Sequence, residues 1–135
     1  MELPFPLSLT HFSGGKNITE SFDPDALVRL LNTLGNRPTY STLTASDTVE
    51  QEDELETFLV DTSGGAVAVT LPVDIEVGTS VRFILVDASN AATFVGDGTS
   101  TVSSFGGLTA MAGLNAVVTA ECTSADSWLL IGQLA

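Results

Sequence analysis

From Phe58 onward the apolar positions fall in short runs, each closed by Gly, Asp, Ser or Pro, and no run keeps a helical period. Residues 58–72, FLVDTSGGAVAVTLP, show the pattern most clearly. An apolar strand ends at Asp61, Thr62-Ser63-Gly64-Gly65 has turn composition, and a second strand over residues 66–71 stops at Pro72. Glycine accepts positive φ, the Asp61 and Ser63 side chains can hold nearby backbone N–H groups, and Pro72 has no N–H for a ladder. This spacing predicts a β-hairpin. Residues 80–87, SVRFILVD, form the strongest strand, and Leu85-Val86-Asp87-Ala88-Ser89 repeats the grammar of Leu59-Val60-Asp61-Thr62-Ser63. A repeated hairpin whose turns are ordered by aspartate is therefore expected. Further strands are predicted at residues 92–95, 99–104, 115–122 and 127–132. The expected fold is all-β over residues 58–135, a small antiparallel β-sandwich or barrel.

Upstream the pattern changes. In residues 1–19, Leu3, Phe5, Leu7 and Leu9 alternate with Pro4, Pro6 and Ser8; Phe12 follows, and Ser13-Gly14-Gly15 breaks the segment. An extended N-terminal arm that lays its apolar edge on another molecule fits this; the other reading is a strand returning to the chain's own sheet. Residues 20–57 are expected to hold one short α-helix, about 24–34, and an acidic linker. Asp23 suits the N-cap, Pro24 the first helical position and Gly35 the exit, while Leu27, Leu30, Leu31 and Leu34 make one apolar stripe. The stripe can pack on the β-domain or on a neighbouring subunit. A short strand is expected within residues 39–45.

Several strands are apolar on both faces instead of alternating: Val60, residues 83–86 and residues 128–131. An antiparallel sheet in a small monomer normally wets one face. Identical neighbours would bury the second, so Val60, Phe83, Leu85, Leu129 and Ile131 are the expected oligomer interface.

The 135 residues carry a formal net charge of -13, with Lys16, Arg29, Arg37 and Arg82 as the only basic residues. Phosphate backbones and anionic membranes would repel such a surface, so neither nucleic acid nor membrane is an expected partner. The acidic run at residues 47–56 lacks the ligand spacing and mid-loop glycine of a calcium loop and reads as solvated. Cys122, the single cysteine, excludes an internal disulfide and reads as a buried small hydrophobe. No signal peptide or spanning segment is evident, so a soluble protein made in a reducing cytoplasm is expected. His11 is the single histidine and lies in the arm, far in sequence from Cys122. No nucleophile–base pair, metal cluster or phosphate loop can be assembled, and Asp61, Asp87 and Asp97 sit in turns. No catalytic residue, cofactor or metal site is expected, and the chain is not read as an enzyme.

FLVDTSGGAVAVTLP, GTSVRFILVDASNAATFVGDG and the final strand ending in SWLLIG together resemble the small β-domain of tailed-phage structural proteins: capsid decoration (cement) proteins, head fibres and tail-fibre tips. The resemblance covers residues 58–135. It implies a virion protein on the capsid exterior, made in the host cytoplasm, and a homotrimer, the number three coming from the resemblance alone. In a decoration protein the partner is the major capsid protein, gripped through Leu3, Phe5, Leu7, Leu9 and Phe12. In the alternative, a head-fibre or tail-fibre module binds a host-surface glycan or protein receptor through loops at residues 90–92, 96–98 and 106–113.

Overall fold

The computed structural model describes residues 39–135 together with Asp25. The chain divides into two units between Arg37 and Pro38. The expected arm lies outside the described residues, as does the expected helix apart from Asp25, which is helical.

The described residues form nine strands: β1 (Tyr40–Leu43), β2 (Asp47–Thr48), β3 (Thr57–Asp61), β4 (Val67–Leu71), β5 (Ser80–Asp87), β6 (Ala92–Gly96), β7 (Thr101–Ser104), β8 (Val117–Ser124) and β9 (Ser127–Gly132). The all-β expectation holds. The small antiparallel sandwich or barrel does not, although β8 and β9 do pair as an antiparallel hairpin. β3 and β4 belong to different sheets, one ordered β1-β3-β5-β8-β9-β7 and the other β2-β4-β6. β1, β3 and β5 pair in parallel, as do β2, β4 and β6. The chain thus alternates between sheets and winds through stacked, solenoid-like coils. The Gly/Ser segments that follow β3, β5 and β6 are arches between sheets and not hairpin turns.

The segment expected to be an acidic linker joins this scheme. β1 and β2 extend both sheets, and residues 51–53 form a single 3-10 turn between β2 and β3.

The late strands depart from the winding. β8 runs antiparallel to β5 and to β9, while β7 pairs in parallel with β9. β1, β3, β5, β9 and β7 therefore share one direction. The β8–β9 hairpin stands between β5 and β7, the strand that would otherwise stack directly on the coils.

The core fills the space between the sheets. Val60, Phe83, Leu85, Trp128 and Leu130 come from the first sheet, and Val67, Val69, Leu71 and Phe94 from the second. Phe83 and Phe94 meet edge-to-face across the gap, ring centroids 5.1 Å apart, and Phe58 stacks on Phe83 at 5.6 Å. Trp128 donates its indole N–H to the Pro72 carbonyl at 2.7 Å, which lets a large ring lie inside without an orphan donor. Cys122 is buried as expected. The second sheet is closed beyond β6 by residues 109–111: Phe94 N–H donates to Thr109 O and Met111 N–H to Ala92 O. Met111 also bridges Leu134, tying this strap to the end of the first sheet.

Candidate functional site: an apolar sheet face

The strand registers decide which apolar residues remain for function. Side chains alternate across a strand, so residues next to buried ones point out of the first sheet. Leu59, Ile84 and Val117 are in register on this outer face. Thr57, Arg82, Thr119 and Ile131 make the next row, and Glu121 stands opposite Leu129.

This corrects part of the expected oligomer interface. Val60, Phe83 and Leu85 are buried in the core, because the chain's own second sheet covers them. Leu129 is half-buried, and Ile131 is 49 % exposed on the outer face. The two-faced apolar pattern thus has two causes. One face fills the space between sheets, and the described residues cover the other only in part.

Beside Ile131 the face deepens. After β7 ends at Ser104, a 3-10 turn over residues 105–107 swings the chain away, with Gly106 and Gly107 at φ 76° and 73°. L side chains disfavour that region, and glycine enters it freely. The Ser104 hydroxyl donates to the Leu108 carbonyl and closes the turn. Phe105 is left 96 % exposed at the rim of a groove of about 310 Å³, which Leu108, Leu129, Ile131 and Leu134 also line. A fully solvated phenyl ring contributes nothing to the core. Val117, at 36 % exposed, and Leu114, at 62 %, extend the apolar surface towards residues 112–116.

Charge is distributed unevenly around the fold. The strand directions place residues 50–56, residues 72–79 and the turns at Asp97 and Asp126 at one end, where the chain enters the first sheet. Most carboxylates of the described residues lie there. The groove has no charged residue among its lining.

The three turn aspartates do not gather in one cleft. Asp61 and Asp87 are register partners on stacked arches, accepting Ser63 N–H at 2.9 Å and Ser89 N–H at 2.8 Å. Asp97 lies at the opposite strand ends. Its Oδ1 accepts the N–H groups of Ser100 and Thr99, both at 2.8 Å, and its Oδ2 that of Val73 at 3.0 Å. These donors stabilise the carboxylate and hold its pKa down to about 2. All three aspartates therefore order turns. Among the described residues, no group of three His, Cys, Asp or Glu side chains could hold a metal ion. Every buried side-chain N or O atom there has a hydrogen-bond partner.

The receptor-loop alternative also meets the topology. Residues 90–92 precede β6 at the arch end, whereas residues 96–98 follow it at the acidic end. Residues 106–113 lie beside residues 90–92, with Met111 N–H donating to Ala92 O, so two of the three loops meet and only residues 96–98 stand apart. Leu3, Phe5, Leu7, Leu9 and Phe12, expected to attach to a capsid, lie outside the described residues. Phe105 was missed by the sequence reading, whereas Leu108 falls in the loop 106–113 expected to meet a receptor. The signal for Phe105 was an aromatic in a Gly-rich stretch, FGGL, which gives a large side chain no strand in which to hide. The chain matches no known family model and no curated protein.

Proposed function

We propose that this protein works by surface contact, as a virion structural protein of the capsid-decoration kind that associates with copies of itself through its β unit. The carrying observation is the apolar face around Phe105 and Ile131 that the described residues leave exposed on a strongly acidic chain. Large exposed apolar patches mark interaction surfaces. The virion assignment comes from the resemblance of residues 58–135 to small tailed-phage β-domains. In this reading the homotrimer stands outward from the capsid, and Leu3, Phe5, Leu7, Leu9 and Phe12 grip the major capsid protein. The energy is that of apolar contact, multiplied across the linked subunits.

Copy number tests the assignment. Quantitative mass spectrometry of purified virions should find on the order of hundreds of copies per particle, since avid, symmetric decoration uses every equivalent capsid site. A few to a few dozen copies, with binding to host cells by the isolated protein, would establish the fibre alternative instead. Absence from virions would remove the assignment altogether.

A further inference from the structure

We infer that the apolar face at Phe105 is where copies of this chain meet, with Phe105 of each copy seated in the groove of its neighbour. The inference deepens the self-association stated above and rests on it, but it does not depend on a virion location.

Two observations select a second copy as the occupant. The first is charge. At a formal net charge of -13, two copies repel each other wherever their carboxylates approach. The groove has an uncharged lining, and most carboxylates of the described residues lie at the acidic strand ends. Glu121, opposite Leu129, marks the border of the face. A cationic partner, the natural complement of this chain, would be drawn to the acidic end and would gain no charge pairing at the groove. A like-charged copy has the reverse preference and meets least repulsion there. The second observation is shape. Phe105, 96 % exposed, projects beside a groove of about 310 Å³ lined by Leu108, Leu129, Ile131 and Leu134. Knob and hole lie side by side on one patch, so copies related by a symmetry axis close to it can each seat the ring of the next. A buried aromatic in a pocket ringed by apolar contacts is also the usual anchor of such an interface.

Light scattering coupled to size exclusion, and sedimentation equilibrium, would be run on the full chain over a concentration series. Wild type should be oligomeric, and its association should tighten between about 0.02 M and 0.5 M salt as like charges are screened. Phe105→Asp should weaken association at least about 30-fold, the effect of losing an interface anchor. Because Phe105 lies outside the core, the far-UV spectrum and thermal midpoint of that variant should match those of wild type under dissociating conditions. Leu55→Asn serves as the control: Leu55 is 63 % exposed at the acidic end, and the change should leave association intact. A monomeric wild type at every concentration would overturn both the self-association reading and this one. An oligomer unaffected by Phe105→Asp, or one lost with Leu55→Asn, would place the contact elsewhere and overturn only this inference. Association that weakens with salt would show opposite charges meeting, and would overturn it too.

Discussion

Thr62 has no solvent access, yet it sits in the arch between β3 and β4. Its hydroxyl reaches the Asp87 carbonyl at 2.8 Å and accepts Asn90 N–H at 3.0 Å, while the Asn90 side-chain amide donates to Thr62 O at 2.7 Å. One side chain therefore stitches two successive arches together. Thr62→Val keeps the shape but leaves the Asn90 N–H without that acceptor. It should cost about 1–3 kcal/mol, read from the urea midpoint, the usual penalty for an orphaned buried donor. Cys122 shows the opposite kind of burial. Burial pushes its thiol pKa up, against a smaller opposing effect from the Ser124 backbone. A thiol reagent at pH 8 should label it only as fast as the protein unfolds, because the thiolate is the reactive form. Rapid labelling of folded protein would contradict its place in the core.

At the level of elements, strand positions were legible and their pairing was not. β4, β5, β8 and β9 lie where runs of apolar residues meet turn composition. The error lay in the connections. Asp-x-Ser with flanking small residues serves an arch between sheets as well as a hairpin, since both need tight backbone held by a side-chain acceptor. A stronger clue was present in the echo between residues 59–63 and 85–89. Recurrence at that interval is the signature of stacked coils, and the ladder bears it out, with Val60 opposite Leu85 and Asp61 opposite Asp87 across a bulge. Runs apolar on both faces, as at residues 83–86, are also normal for parallel strands.

Asp97 performs the equivalent task at the other strand ends, joining the exit of β6 to Val73 beyond β4. Its folded pKa of about 2 lies below the ordinary 3.8, so its contribution is complete above 3.8 and is lost as pH falls towards 2. Asp53, whose pKa burial raises, acts in the opposite sense. Asp97→Asn should lower the thermal midpoint at neutral pH and flatten its dependence on pH between 3.8 and about 2. Equal slopes in variant and wild type would refute the role.

For the whole molecule, Leu129 and Ile131 of the expected interface lie on the outer face, while Val60, Phe83 and Leu85 proved internal. That division followed from how the two sheets fold over each other, which depends on pairing partners far apart in sequence and not on local pattern. The position of β7 has a further consequence during synthesis. β1 to β6 can stack in the order in which the ribosome delivers them, but β7 pairs with β9, which is made later. Through that interval β7 waits as a nascent strand with no mate, open to capture by another chain. Its sequence, Thr-Val-Ser-Ser, offers an intruder little grease to hold, so the delay built into the winding falls on the strand best able to bear it.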